Sequence, residues 1–170
     1  NLVERQEVIY EVNSQIPFNG TSVRYHENGQ LESKGNFKDG KLVGLVDWYH
    51  DNGHLRFKEN YKDGKLDGLQ QEYHENGQLR YKGTIKDDKR VGLVEFYHEN
   101  GQLQERGNYK DGEKDGLYEM YHENGQLETK GNFKDGKRVG LREEYDEHGK
   151  LSNKECYKND ENTDMSYCEK

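Results

Sequence analysis

Five histidines recur at a constant interval along this sequence, and they are the first residues whose type and spacing could bind a metal. They are His26, His50, His74, His98 and His122. The ligands of one zinc ion must lie within about 2.1 Å of the metal, whereas equivalent residues on every second strand of a sheet lie roughly 10 Å apart. His50 and His54 face each other across one turn, but no third ligand joins them. We therefore expect these histidines to flank turns, and we expect no metal site.

A second recurring set is acidic and could supply paired carboxylates for acid–base catalysis. Its members are Asp47, Glu95, Glu119 and Glu143, with Gln71 interrupting the series. The carboxylate pairs of glycosidases stand about 5–9.5 Å apart in a sugar-sized cleft and need unlike environments, but here each copy has the same surroundings. The sequence also contains no nucleophile–base set and no phosphate-binding loop. We therefore predict that the protein is not an enzyme and needs no cofactor.

Basic residues recur with the same period, and we expect them on the face of the sheet opposite the acidic set. They are Lys34, Lys58, Lys82, Arg106, Lys130 and Lys154. Such a stripe could contact phosphates or lipid headgroups, or it could balance charge within the sheet. The formal net charge of −8 favours charge balance. It also argues against a nucleic-acid partner, which would need a concentrated basic surface.

All three sets belong to one repeated unit of 24 residues. Its clearest part is the heptapeptide YHENGQL, which stands at 25–31, 73–79, 97–103 and 121–127. A constant period of this length is typical of repeat proteins. Apolar residues make up only 29% of the chain, which alone would indicate disorder, but their fixed positions let each unit bury surface against its neighbours. We divide the chain into an N-terminal cap with a partial repeat (1–24), tandem repeats (25–158) and a C-terminal cap or tail (159–170).

Two turn signals divide each unit into two runs of strand length, so each unit is predicted to be a β-hairpin. A three-residue turn closed by Gly53 pairs Tyr49 with Leu55, Asp47 with Phe57 and Leu45 with Glu59. This register sorts apolar from polar positions, and it places leucines, tyrosines and an aromatic residue on one buried face around a gap left by glycine. We therefore expect an all-β fold, an elongated single-layer antiparallel ribbon of about six repeats.

Two structural ladders follow from that register. The tyrosine ladder consists of Tyr25, Tyr49, Tyr73, Tyr97, Tyr121 and Tyr145. The leucine ladder consists of Leu45, Leu69, Leu93, Leu117 and Leu141.

Apolar residues also alternate on the face opposite the tyrosines, in copies where other repeats have polar residues. They are Val46, Trp48, Val94, Phe96, Tyr118 and Met120. A bare apolar patch on a charged protein usually binds a partner, so these six residues are the candidate partner-binding set. The alternative is that the twist of the sheet or the N-terminal segment covers them, which would make them a secondary core.

Cys156 and Cys168 are the only cysteines, and they could form a disulfide in the C-terminal cap or remain two free thiols. A disulfide would fit the periplasm or the cell surface, which we favour over the cytoplasm on that ground. No apolar run reaches the roughly 18 residues of a membrane-spanning helix, and no signal peptide is recognisable. Because the sequence begins at Asn rather than Met, export stays undecided.

The pattern Y/F-K-D-G-K-x-x-G-L-x-x-x-Y-x-x-N-G-x-L resembles the bacterial variant of the MORN repeat over about residues 17–158. The stretch VIYEVNSQIPFNG at 8–20 is similar to the usual lead-in of such proteins. The resemblance implies a β-hairpin ribbon that binds and does not catalyse. Similar bacterial proteins are antitoxins or immunity proteins, exported lipoproteins or surface proteins, and eukaryotic MORN proteins are linked to membranes and phosphoinositides.

From the residues and the resemblance together, we expect a non-enzymatic module that binds another protein, with a toxin as the partner that the resemblance implies. The alternative is a periplasmic or cell-surface structural protein that binds an envelope component or lipid. Open sheet edges are compatible with a monomer or with end-to-end association.

Overall fold

The computed structural model describes residues 1–169, which are almost entirely β-structure. Strands β1 (Leu2–Arg5) and β2 (Val8–Glu11) form an N-terminal hairpin. The remaining strands are β3 (Gly20–Tyr25), β4 (Leu31–Lys38), β5 (Lys41–Tyr49), β6 (Leu55–Lys62), β7 (Lys65–Tyr73), β8 (Leu79–Lys86), β9 (Lys89–Tyr97), β10 (Leu103–Lys110), β11 (Glu113–Tyr121), β12 (Leu127–Lys134), β13 (Lys137–Tyr145), β14 (Leu151–Lys158) and β15 (Glu161–Thr163). A short 3₁₀-helix, Met165–Tyr167, follows. No helix in the described part of the chain is long and apolar enough to cross a membrane.

Strands β3 to β15 follow one another in chain order as an antiparallel sheet, which confirms the predicted all-β hairpin-repeat fold. Two compact units divide the chain. Unit 1 comprises Asn1–Gln78 with Ile85–Asp88, and unit 2 comprises Leu79–Thr84 with the chain from Lys89 onwards. Within each unit the strand order is linear, so the sheet is open.

The x-N-G turns have the predicted three-residue form. The N–H of Gly53 donates to the carbonyl of His50 at 3.0 Å, and the N–H of His50 donates to the carbonyl of His54 at 2.8 Å. Gly53 has a φ of 85°, a left-handed conformation that glycine adopts without steric cost. Tyr49 therefore pairs with Leu55, and this part of the predicted register is confirmed.

The K-D-G-K turns are of a different type. Lys38 pairs with Lys41, which leaves a two-residue loop, and both loop residues have positive φ, 50° at Asp39 and 73° at Gly40. This is a type I′ turn, whose twist matches that of the flanking strands. The two turns together make each repeat an antiparallel pair of strands that leads directly into the next pair.

One residue beyond Tyr49 the register shifts, and the predicted pairs Asp47–Phe57 and Leu45–Glu59 are wrong. Trp48 pairs with Phe57 instead, and Asp47 pairs with Lys58. The cause is a β-bulge, because one residue on β6 has no partner of its own on β5. A shift of one residue exchanges the two faces for everything that follows.

The bulge determines which residues of β5 and β6 share a face of the sheet. On β5 and β6, the tyrosine face carries Leu45, Asp47, Tyr49, Lys58 and Asn60. The valine face carries Val46, Trp48, Phe57, Glu59 and Tyr61. The glycine and aromatic positions thus lie with the valines and not with the tyrosines, contrary to the predicted arrangement.

The core lies on the valine face. Val46 and Val94 are 2% and 0% exposed, and Val94 forms a cluster with Tyr81 and Tyr109 against which Phe96 packs. Each valine covers a glycine of the preceding strand. A Cβ at Gly35 would lie 3.1 Å from Val46 Cγ2, so the missing side chain makes room for the valine.

The leucine ladder is not a buried core, which corrects the prediction. Its exposed members are Leu45 (41%), Leu69 (39%), Leu93 (50%) and Leu117 (43%). Tyr25, the first residue of the tyrosine ladder, is 61% exposed. The leucines are exposed because the bulge places the glycines, which would have made room for them, on the other face.

At the C-terminal end, a disulfide joins Cys156 on β14 to Cys168 after the 3₁₀-helix. Cys156 is fully buried, and β15 pairs with β14 beside it. The disulfide holds the chain end against the last long strand of unit 2.

The glycine–valine packing can be tested by adding a methyl group at two equivalent positions. In Gly83→Ala the new Cβ would lie 2.9 Å from Tyr81 Cζ and 3.2 Å from Val94 Cγ2, and we expect a loss of about 1–3 kcal/mol in the free energy of unfolding. In the matched control Gly131→Ala the nearest atoms, on Arg142, are at 3.7 Å. Urea unfolding should show an unchanged or slightly raised stability for the control, and equal losses in both variants would contradict this account.

Candidate functional site

The tyrosine face of unit 2 consists of three parallel rows of side chains. The first row alternates leucine and asparagine: Leu93, Asn108, Leu117, Asn132 and Leu141. The second row alternates acid and base: Glu95, Arg106, Glu119, Lys130, Glu143 and Lys154. The third alternates tyrosine and leucine: Tyr97, Leu103, Tyr121, Leu127, Tyr145 and Leu151.

The charged row places the acidic and basic sets on one face, where they pair directly. The predicted placement of the basic stripe on the opposite face is therefore wrong, because the bulge brings each cation opposite a carboxylate. The Nζ of Lys82 lies 4.0 Å from Glu95, and Arg106 is hydrogen-bonded to Glu119. Of the two interpretations of the basic stripe, the geometry agrees with charge balance within the sheet.

Glu143 is the most strongly stabilised carboxylate of this row. Its oxygens lie 2.7 Å from Lys130 Nζ and 3.1 Å from Lys154 Nζ, and the hydroxyl of Tyr145 donates to it at 3.1 Å. The hydrogen bonds from Lys130 and then Lys154 lower the pKa of Glu143 from about 4.5 to about 2. The same hydrogen bond raises the pKa of Lys130, so both partners stay charged over a wide pH range.

Two tyrosines beside this row, Tyr97 and Tyr121, have pKa values raised by their surroundings. Burial raises the pKa of Tyr97, and the neighbouring Glu95 carboxylate raises it further. Burial and then Glu119 raise the pKa of Tyr121 in the same way. At neutral pH these phenols are therefore hydrogen-bond donors and not anions.

In unit 1 the charged row is incomplete. Asp47 pairs in register with Lys34 and Lys58, but its Oδ1 is buried and has no hydrogen-bond partner in the described residues 1–169. Gln71 takes the next acidic position. Burial and then the Asp47 charge raise the pKa of Tyr49. The charge pairing in this unit is thus less complete than in unit 2.

The constant histidines form hydrogen bonds between repeats. In four of them Nε2 lies within hydrogen-bond distance of the backbone carbonyl of the tyrosine 23 residues further on. The pairs are His26 with Tyr49 at 2.9 Å, His50 with Tyr73 at 3.1 Å, His98 with Tyr121 at 3.2 Å and His122 with Tyr145 at 3.0 Å. Because a carbonyl can only accept, the imidazole donates from Nε2.

The asparagine of each x-N-G turn makes a parallel bond. Asn28 Nδ2 donates to the carbonyl of Asp51 at 2.7 Å, and Asn124 Nδ2 donates to that of Glu147 at 2.8 Å. The two bonds together are the inter-repeat clip, in which the turn of one repeat supplies donors to the backbone of the next. In the described residues, no group of three or more His, Cys, Asp or Glu side chains is placed to hold a metal ion. The positions of these residues beside the turns could be predicted from the sequence, but their hydrogen-bonding role could not.

The six candidate partner-binding residues lie on the valine face, in packed surroundings. Val46 and Val94 are buried, so the predicted exposed patch is wrong for these two. In unit 1, Val46 and Trp48 line a cavity of about 260 Å³ together with Ile9 of the N-terminal hairpin and Phe37. The alternative of a secondary core describes these residues better than an open surface does.

The other candidates also make packing contacts, all within unit 2. The ring of Phe96 stands 5.1 Å from that of Tyr81, and the ring of Tyr118 stands 5.4 Å from that of Phe133. Met120 is half-buried. Phe96 and Tyr118 therefore pack against other aromatic rings of unit 2 and are not a bare patch.

Two repeats have a glutamate in place of the core glycine, and both carboxylates are fully engaged. Glu59 accepts from Trp48 Nε1 at 3.1 Å, Tyr61 Oη at 3.0 Å and Gln70 Nε2 at 2.8 Å. Burial and then Glu59 raise the pKa of Tyr61 to about 12. Glu155 likewise accepts from Tyr157 and Arg142. The network around Glu59 could not be predicted from the sequence, because the bulged register is needed to bring its donors together.

These features define a tandem β-hairpin repeat protein whose rows of side chains repeat from hairpin to hairpin. The MORN repeat variant family matches six stretches of it, residues 18–39, 42–63, 66–87, 90–111, 114–135 and 138–159. The chain belongs to this family, whose repeats are modules for binding. The predicted lead-in at 8–20 overlaps the first stretch only in its last residues.

No curated protein sequence matches the chain. Solved structures do match, among them the crystal structure of the GtfA/B complex bound to UDP and GlcNAc. That chain is 16% identical, with a TM-score of 0.26, and the alignment covers 80% of this chain and 24% of that one. This protein therefore spans about a quarter of that structure's chain.

The pKa of Glu143 leads to a prediction about acid stability. Because the folded-state pKa lies below the ordinary value, the stabilisation is complete above pH about 4.5 and is lost as the pH falls towards about 2. We expect Glu143→Gln to unfold at a lower temperature than the parent at pH 7, with the difference vanishing near pH 2. The control Glu123→Gln changes an exposed turn residue and should track the parent. A difference for Glu143→Gln that persists unchanged at pH 2 would contradict the ion-pair account.

The inter-repeat clip leads to a second prediction. His122→Ala removes the donor to the carbonyl of Tyr145, and we expect a loss of about 1 kcal/mol in the free energy of unfolding. His148→Ala is the matched control, since His148 lies on an equivalent turn with an exposed side chain and should cost less than about 0.5 kcal/mol. Denaturant titration of both variants measures this, and equal stabilities would show that the clip contributes nothing.

Proposed function

We propose that this protein is a non-enzymatic module that binds another protein through the tyrosine face. The observation that carries the proposal is the exposure of leucines in this face of unit 2, where Leu93 is 50% and Leu117 43% exposed, beside a row of charges that are already paired. Apolar area removed from water contributes roughly 25 cal/mol per Å², and exposed leucines offer such area to a partner. A regular row of this kind suits a partner surface with an extended, repeating contact.

The paired charges favour a protein over a phosphate or a lipid headgroup at this face. Phosphate recognition needs cations that are free to contact it, whereas Lys130 and Lys154 both contact Glu143. Breaking such pairs would offset much of the gain from a new contact. A protein surface can cover the leucines while the ion pairs stay intact.

The non-enzymatic part of the proposal is supported by the state of the carboxylates. Glu143 receives three hydrogen bonds or ion pairs, and Glu59 receives three hydrogen bonds from uncharged donors. A general acid or base needs an accessible proton site with a pKa suited to the working pH. These groups serve as fixed acceptors within the sheet.

Within this function, we propose an antitoxin or immunity protein that occludes a toxin. The family resemblance implies this class, and the net charge of −8 suits a basic partner, since opposite charges accelerate association. The mechanism is steric: the partner's working surface is covered when it lies against the leucine row. No chemical step on the partner is required.

A second candidate is a periplasmic or cell-surface protein that binds an envelope component. The observation that favours it is the disulfide between Cys156 and Cys168, because disulfides persist in oxidising compartments. The two candidates differ in what the tyrosine face holds, and one experiment separates them.

The test is affinity capture from the source cells with the double variant Leu93→Asn, Leu117→Asn beside the parent. We expect one stoichiometric protein partner to be captured by the parent and its affinity to fall at least tenfold in the variant, as for the loss of central apolar contacts. Asparagine is chosen because it already alternates with leucine in this row, so the fold should be kept.

Ile16→Asn is the control, since Ile16 is an exposed apolar residue outside the rows. It should bind like the parent. Equal capture by the double variant would exclude the leucine row as the interface. Recovery of only lipid or envelope material, equally with all three proteins, would favour the second candidate.

A further inference from the structure

At the start of the sheet, the first hairpin has the two backbone carbonyls that accept hydrogen bonds in the inter-repeat clip, but no preceding repeat supplies the donors. In later repeats, the carbonyl of the constant tyrosine accepts from a histidine of the preceding repeat, as Tyr49 does from His26. The carbonyl two residues beyond accepts from an asparagine, as Asp51 does from Asn28. Tyr25 and Glu27 hold the equivalent places in the first hairpin, and no donor from residues 1–169 reaches either carbonyl.

The edge of β3 faces the same way as these carbonyls. The Tyr49 carbonyl points towards the preceding repeat, so the equivalent Tyr25 carbonyl points away from β4. Residues two apart along a strand direct their backbone groups to the same side. The N–H and C=O groups of Thr21 and Val23 therefore also point away from β4, and β3 is the last strand of the sheet on this side.

A cleft of about 740 Å³ runs along this edge, between β3 and the N-terminal hairpin. Side chains from both faces of β3 line it, Thr21 and Val23 from one and Ser22 and Arg24 from the other. A cavity lined from both faces of a strand must lie along its edge. Its volume is within the range of about 300–1,000 Å³ in which proteins hold ligands.

The sequence of β3 departs from the repeat in a way that leaves its edge unprotected. Val23 occupies the position of Asp47, Glu95, Glu119 and Glu143 in later repeats, and it is 45% exposed. Proteins commonly guard edge strands with charges, bulges or short length. Here the charge of the tyrosine face is missing from β3, the strand that ends the sheet on this side.

The C-terminal end of the sheet is closed by comparison. Its last long strand is followed by β15, the 3₁₀-helix and the disulfide. In its x-N-G-type turn, Asp146 and His148 replace the histidine and asparagine donors, and the Asp146 carboxylate accepts from the N–H groups of His148 and Lys150. A second copy of this chain therefore has no free donor turn to offer the β3 edge.

We propose that the β3 edge binds an extended segment of a partner protein, which adds as an antiparallel strand in the cleft. Its backbone pairs with Thr21 and Val23, and its side chains supply N–H donors to the carbonyls of Tyr25 and Glu27. Glu4 and Glu11 line the cleft, whereas Arg24 pairs with Glu32 at 3.6 Å. The segment therefore carries basic or amide donors beside an apolar residue that covers Val23. This site does not depend on the leucine row.

The probe is a synthetic peptide with the sequence of residues 25–38, YHENGQLESKGNFK. In the protein this segment contains the donors His26 and Asn28 and the strand β4, which pairs with β5. We expect the peptide to pair with β3 in the same way. Titration into the ¹⁵N-labelled protein should shift the amide signals of residues 21–27 in a saturable manner. In Val23→Pro the outward N–H is lost while the β4 ladder is kept, since edge positions tolerate proline. We expect this variant to bind the peptide at least tenfold more weakly.

Val23→Thr is the matched control, because it keeps the N–H and the branched side chain, and it should bind within about threefold of the parent. A peptide with alanine at its histidine and first asparagine should bind about tenfold more weakly than the original. Circular dichroism of each variant verifies the fold. The proposal is overturned if no saturable shift occurs up to about 1 mM peptide, or if Val23→Pro binds as the parent does. If the protein alone forms a dimer that Val23→Pro abolishes, the edge binds a second copy of this chain, and the proposal of a partner protein is overturned.

Discussion

One unpaired residue after each x-N-G turn determines which side chains of this protein are buried. The bulge keeps the tyrosine–leucine pair next to the turn but exchanges the faces of everything beyond it. As a result glycine and valine share one face, where the missing glycine side chain leaves room for the valine. The acids and bases share the other face, where they neutralise each other. Core packing, charge pairing and the exposure of the leucines all depend on this single change of register.

Strand positions and turn types could be predicted because they depend on local signals. Asn-Gly and Asp-Gly sequences require particular backbone angles, and the structure has these angles at Gly53 and Gly40. The faces could not be predicted in full. A bulge adds a single residue, but it moves every later side chain of that strand to the opposite face of the sheet. Assignments that assumed regular alternation beyond the turn, such as Leu45 opposite Glu59, therefore failed. Those confined to the turn, such as Tyr49 opposite Leu55, succeeded.

In the candidate site, too, only the features that depend on the repeat period could be predicted from the sequence. The period revealed that His26 and Asn28 have one role repeated many times, and it excluded a shared metal ion by distance alone. The role itself could not be predicted, because the acceptors are backbone carbonyls 23 residues further on. Every residue has such a carbonyl, so no residue type in the sequence marks the acceptor. The polar network around Glu59 escaped for a related reason. Its donors Trp48 and Gln70 come from two different strands.

The inter-repeat clip also bears on how such a chain can change its length. Each clip joins donors in one hairpin to acceptors in the next, so a duplicated 24-residue segment arrives with both halves of its connections. Gene duplication or loss of a whole unit therefore leaves no backbone group unsatisfied inside the array. An insertion of an odd number of residues within a strand would reverse the faces of the residues that follow it in that strand. Addition or loss of whole units is therefore the change of length that keeps every clip and both faces intact.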